Sequence, residues 1–88
     1  MNRQSWAIEL NFEEDENRTA CTATLSGSGA PRIAGHGYSR RNPDDEPDAR
    51  IGEEVAAARA CSNLAHELLE AAATRIESHT HRPAHLNA

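Results

Sequence analysis

The sequence predicts an α+β domain: a three-stranded antiparallel meander followed by one long C-terminal helix. Two observations carry this. The segment from about Ile51 to Thr80 is the only one long enough and periodic enough for an extended helix, with apolar residues recurring every three or four positions. Upstream of it lie three short segments of alternating or β-favouring residues, separated by acidic, Gly/Ser-rich and Pro-rich stretches of turn character. The full length of 88 residues sets the expectation of one domain, residues 1–88, with no room for a second core.

The first strand is expected over Ser5–Phe12. Trp6, Ile8, Leu10 and Phe12 alternate with Ser5, Ala7, Glu9 and Asn11, the period of a half-buried strand. Glu13, Glu14, Asp15 and Glu16 with Asn17 break the alternation and read as a solvated hairpin tip. A consecutive acidic run lacks the alternating ligand spacing of a calcium loop. The second strand, Thr19–Leu25, puts Cys21, Ala23 and Leu25 on one face, small enough to let a helix approach. Ser26–Pro31 reads as a hairpin loop, because no strand-to-helix junction follows it, as a phosphate-binding loop requires.

The third strand is expected from about Arg32 to Arg40. Glycine inside a strand often marks close approach of another backbone, so the preferred orientation turns Ile33, Gly35 and Gly37 toward the helix; the opposite one would bury His36 and Tyr38. Asn42–Arg50 is a turn-rich acidic linker interrupted by Pro47. Gly52, Glu53 and Glu54 mark the helix start, where carboxylates favour the positive end of the helix dipole. Its expected end lies at His79, His81 and Arg82, closed by Pro83. The expected inner stripe holds Ile51, Val55, Ala58, Ala65, Leu68, Leu69, Ala72 and Ile76, widened by Ala57, Cys61 and Leu64. Such a helix outruns a three-stranded sheet. Leu68, Leu69, Ala72 and Ile76 are therefore candidate dimer contacts, to be covered by another subunit or by the tail with Leu86.

Composition narrows the function classes. A net charge of −5 argues against a generally basic nucleic-acid binder, and all nine basic residues are arginine. Two cysteines, no charged leader ahead of an apolar run and no membrane-length apolar stretch set the expectation of a soluble cytoplasmic chain with reduced thiols. His79, His81 and His85 cluster in the tail, but structural zinc wants four closed ligands, so no metal is expected. No cofactor loop or nucleophile–base pair is present, so no catalytic residue is assigned and no enzyme activity is expected. The candidate RNA or partner contacts are Arg32, His36, Tyr38, Arg40, Arg41 and Arg82, since arginine beside aromatic groups on an open sheet suits RNA. The plainer reading of the same residues is a solvated face or a dimer contact.

The series Arg40-Arg41-Asn42-Pro43, Ile51-Gly52-Glu53-Glu54, Ala58-Arg59-Ala60, Leu64-Ala65-His66-Glu67-Leu68-Leu69 and Thr80-His81-Arg82-Pro83 resembles a family of small actinobacterial proteins. That family is described as similar to double-stranded-RNA-binding domains, is of unknown function, and has members associated with dormancy. The resemblance spans about Trp6 to Leu86. It implies the same β-β-β-α order and homodimers similar in shape to ribosome hibernation factors, but not ribosome binding itself. The leading expectation is a non-enzymatic, stress- or dormancy-associated homodimer with the ribosome or structured RNA as partner. The rival expectation is a protein-binding or structural dimerisation module with no nucleic-acid partner.

Overall fold

A computed structural model describes residues 3–41, 48–81, 83, 84 and 86. It holds β1 (Trp6–Glu14), β2 (Arg18–Gly27), β3 (Ala34–Arg40) and α1 (Ala49–Thr80), with the strands antiparallel in the order β1-β2-β3. The expected α+β arrangement is therefore the observed one.

The first hairpin is tighter than the acidic run suggests. Glu13 and Glu14 continue β1, paired with Ala20 and Thr19. The reversal is made by Asp15, whose Oδ1 accepts from the backbone N–H groups of Asn17 (2.9 Å) and Arg18 (2.8 Å). This is the short aspartate-to-backbone turn that lets one acidic residue replace a longer loop. At the other end of the sheet, Trp6 Nε1 and Gln4 Nε2 both donate to the Ser28 carbonyl, tying the start of β1 to the β2–β3 connection. β3 begins at Ala34, so Arg32 precedes the strand rather than opening it.

The helix starts earlier than the Gly52-Glu53-Glu54 signal indicates. Asp48 is the N-cap, its carboxylate accepting from Arg50 N–H at 3.0 Å, and no acidic residue lies in the first turn. Gly52 instead sits where a Cβ would meet Thr19 Oγ1 at 2.9 Å, and its carbonyl accepts from Ser39 Oγ at 2.9 Å. The helix ends at Thr80, as expected. His81 takes a left-handed conformation (φ 56°) and its N–H returns to the Glu77 carbonyl. At about 1.5 Å per residue, 32 residues make a rod of about 48 Å, which sets the longest dimension of the molecule, 53 Å.

α1 packs on β3 and β2. Gly35 and Gly37 face it, as the preferred orientation requires. A Cβ at Gly35 would collide with Ala60 O and Leu64 N, and one at Gly37 with Ala60 N and Ala56 O. Backbone-on-backbone contact of this kind favours small residues such as Ala56 and Ala60 on the helix. The core consists of Cys21, Ala23, Leu25, Ala56, Ala60 and Leu64, with Ala30, Ile33, Ala57 and Leu68 packed around it. The inner stripe is thus rotated from the expected one: Ile51 is 61% exposed, Ile76 is 41% exposed, and Ala58, Ala65 and Ala72 face solvent. Periodicity weighted by side-chain size selected the bulky flank, whereas close approach selected the alanine flank.

Candidate functional site

Two surfaces meet the description of a binding site, one on each face of the sheet. Cross-strand partners project to the same side, so the register fixes both. Trp6, Ile8, Leu10 and Phe12 of β1 share the helix-facing side with Gly27, Leu25, Ala23 and Cys21 of β2. The outer face carries Glu9, Asn11 and Glu13, then Arg18, Ala20, Thr22 and Thr24, then His36, Tyr38 and Arg40.

The helix-facing side is only partly covered. An α-helix is about 10 Å across and three strands at about 4.8 Å spacing are wider, so α1 covers two strands and barely reaches the third. Trp6, Ile8, Leu10 and Phe12 remain 46%, 51%, 38% and 38% exposed, where the alternation alone predicts a half-buried strand. Four large apolar side chains in one row are left facing water.

The helix also presents a definite flank to this open floor. Asn63 Oδ1 accepts from His36 N–H (2.8 Å) and Arg59 Nη1 donates to the Tyr38 carbonyl (2.9 Å), so the Arg59–Asn63 flank lies over the free edge of β3. At about 100° per residue, the opposite flank carries Ala58, Cys61, Ala65, Leu68 and Ala72, on the β1 side. Independent support comes from Cys21, whose thiol is pushed up first by burial and then by the nearby Cys61. Ala84 lies toward the other flank, where its N–H donates to Glu77 Oε1 (2.8 Å). From Trp6 to Phe12 floor and wall form an apolar corner, which ends where Glu14 follows on the same face of β1, and the wall carries no charged side chain from Ala58 to Ala72 along this flank.

The arginines are dispersed by comparison. Arg18 and Arg40 stand directly opposite each other on the outer face, with the Arg18 guanidinium 4.5 Å from the centroid of the Tyr38 ring. Arg41 lies just past β3, its N–H donating to the Asn17 carbonyl. His36 and Tyr38 are exposed on the same face, and His36 Nδ1 lies 3.4 Å from Thr22 Oγ1. Arg32 sits at the far end of β3, about eight residues and roughly 26 Å away along an extended strand. Arg82 falls outside the described residues, as does His85. The end holding Arg18, Arg40 and Arg41 is also the end where Glu14, Asp15 and Asp48 line the same depression. The predicted RNA contacts are therefore brought together only in part, and among carboxylates.

Of the predicted dimer contacts, Leu68 and Leu69 are partly exposed and Ala72 and Ile76 exposed. The β1 row and the Cys61 and Ala65 positions join them, and Arg18 joins the outer patch. Width was the signal that could have found the row: one helix cannot roof three strands.

Residues 4–85 match the model of the Rv2632c-like family. The chain belongs to that family. Its relatives include the uncharacterized protein Rv2632c of Mycobacterium tuberculosis, 43% identical over 76 residues that make up 86% of this chain and 81% of the relative. The uncharacterized protein Mb1767 of Mycobacterium bovis is 35% identical over 83 residues, 94% of this chain and 87% of the relative. The crystal structure of Rv2632c superposes with a TM-score of 0.82 at 38% identity, covering 94% of this chain and 98% of that one. The family and the fold are thereby established, and the descriptions of these relatives carry no activity. Among the described residues, no helix is long and apolar enough to cross a membrane.

Proposed function

We propose that this chain is a non-enzymatic interaction module that works as a homodimer, burying its apolar corner against a second copy. The exposed row Trp6, Ile8, Leu10 and Phe12 carries the reading. An apolar row of this size beside an apolar helix flank exceeds the scattered single exposures normal on a monomer surface. The internal core supports the same conclusion, since among the described residues its buried cluster holds two large apolar side chains, Leu25 and Leu64. If each of the four row residues hides a further ~80 Å², the gain is about 8 kcal/mol per copy at about 25 cal/mol per Å². Two copies then gain about 16 kcal/mol, at or above the estimated cost of about 4–15 kcal/mol for association. Light scattering at micromolar concentration should return twice the mass of the chain. Leu10→Asp, which places a carboxylate in the middle of the row, should return the single mass with the fold retained by circular dichroism. A single mass for the unsubstituted chain would refute the proposal.

One observation favours a second reading, in which a dormancy- or stress-associated chain binds the ribosome or structured RNA. Arg18 and Arg40 face each other on the outer sheet surface, a like-charge pairing that an anion would relieve. Phosphate contacts release counterions, so log K should fall by about 0.7–0.9 per contact for each tenfold rise in salt. Arg18→Ala with Arg40→Ala should remove about two contacts from that slope. Absence of binding to ribosomes or duplex RNA at low salt would leave the dimer module standing alone.

A further inference from the structure

The reading of a homodimer leaves its geometry open, and the inference drawn next rests on that reading. We propose that two copies pack about a two-fold axis running alongside the helix, so that α1 of each copy roofs β1 of the other. The two helices then lie side by side and parallel between two outer sheets.

Spacing gives the first argument. α1 sits over β2 and β3, and helices pack about 8–10 Å apart, which is two strand spacings of about 4.8 Å. A second helix seated beside α1 therefore falls over β1, the strand left bare. Symmetry gives the second. A two-fold axis perpendicular to the sheet would push the partner's sheet into the plane this sheet already occupies. An axis along the helix turns the partner's sheet to the far side of both helices, where its bare β1 covers the outward side of this α1. A contact of this kind is self-complementary, as a two-fold interface must be.

The side chains agree in register. Ala60 and Leu64 lie at the levels of Gly37 and Gly35, and those levels continue across the sheet through Cys21 and Ala23 to Phe12 and Leu10. A parallel partner helix keeps these levels. Leu10 then meets the partner's Ala65, and Ile8, one turn further along, meets the partner's Leu69. Trp6 meets the partner's Ala72 and Ile76. Leu69 and Ile76, which point away from their own sheet, thus find cover. Between the helices, Ala58, Cys61, Ala65, Leu68 and Ala72 recur at alternating spacings of three and four, the repeat of a helix–helix seam. Helices related by an axis parallel to them bring each seam residue opposite its own copy. Cys61, exposed in the single chain, faces the partner's Cys61.

A short bifunctional thiol reagent applied to the native full chain should give a covalent dimer on a denaturing gel. Cys61→Ser should abolish it while light scattering still returns twice the chain mass, and Cys21→Ser should leave it intact. In a chain lacking both native cysteines, Ala65→Cys should restore the link and Glu70→Cys, on the other flank, should not. Twofold mass with no link through Cys61 or Ala65→Cys overturns this arrangement and leaves the dimer reading in place. A single mass overturns both.

Discussion

Gly35 and Gly37 decide how the helix meets the sheet, and substituting them tests this directly. Gly37→Ala would set a methyl group into the backbone of Ala60. Because backbone cannot yield as a side chain does, it should cost about 3 kcal/mol or more in urea unfolding. Gly52→Ala should be far milder. Its Cβ would meet side chains and not backbone, the Thr19 hydroxyl at 2.9 Å and Ser39 Oγ at 3.4 Å, and a helical alanine regains about 1 kcal/mol over glycine, so the net change should be near zero. Cys21 supplies a pH test. Its thiol is raised above the ordinary 9.0 mainly by burial, so the folded chain holds a proton that the unfolded chain sheds first. The stability this contributes is complete below about pH 9 and is lost as pH rises toward the folded value. Cys21→Ala should flatten that alkaline decline in melting temperature, and an equally steep decline would assign it to other groups. Gly35, Gly37 and Cys21 were legible in the sequence, because glycine spaced two apart in a strand and a small inward face mean the same thing wherever they occur. The stripe Ile51–Ile76 was not read correctly, since a periodic pattern reports a face without reporting what presses on it.

Elements begin and end for reasons that lie in short-range hydrogen bonding. Asp48→Ala removes the acceptor for Arg50 N–H at the N-cap and should cost about 1 kcal/mol, measurable by thermal melting. Asp48 hid among Asp44, Asp45 and Glu46, where composition reads only a linker. Glu13 and Glu14 show the opposite error. A charge run reads as a loop, yet both residues stay in β1 because a short turn over Asp15, Glu16 and Asn17, held by the Asp15 carboxylate, reverses the chain. The free edge of β3 is blunted by Asn63 and Arg59, which bond its outward His36 N–H and Tyr38 carbonyl. Among the described residues no side chain bonds the outer edge of β1 in this way, but Glu9, Glu13 and Glu14 place like charges along it, which discourages unlimited edge-to-edge pairing. An aggregation-prone β1 edge should therefore emerge when Glu9 and Glu13 are replaced together by threonine, seen as rising turbidity on concentration.

At the scale of the whole molecule, a single rod spans a sheet too wide for it, and the proposed assembly follows from that mismatch. The sequence shows the mismatch in length through Leu68, Leu69, Ala72 and Ile76, and in width only through the count of strands against one helix, because alternation in β1 looks the same whether its apolar side is roofed or bare. The bare strand has a consequence for dynamics. Among the described residues, β1 is fastened laterally by its ladder to β2 and at one end by Trp6 and Gln4 on the Ser28 carbonyl. It is the segment expected to open first, at a free energy below that of global unfolding. If a second copy clamps it, that opening becomes subject to mass action. Amide hydrogen exchange in β1 should then slow as protein concentration rises, while exchange in β2 and in the Ala56–Leu64 turns stays constant. Order in this one strand would then act as a gauge of how much of the protein is present, set by the width of a sheet that its own helix does not fill.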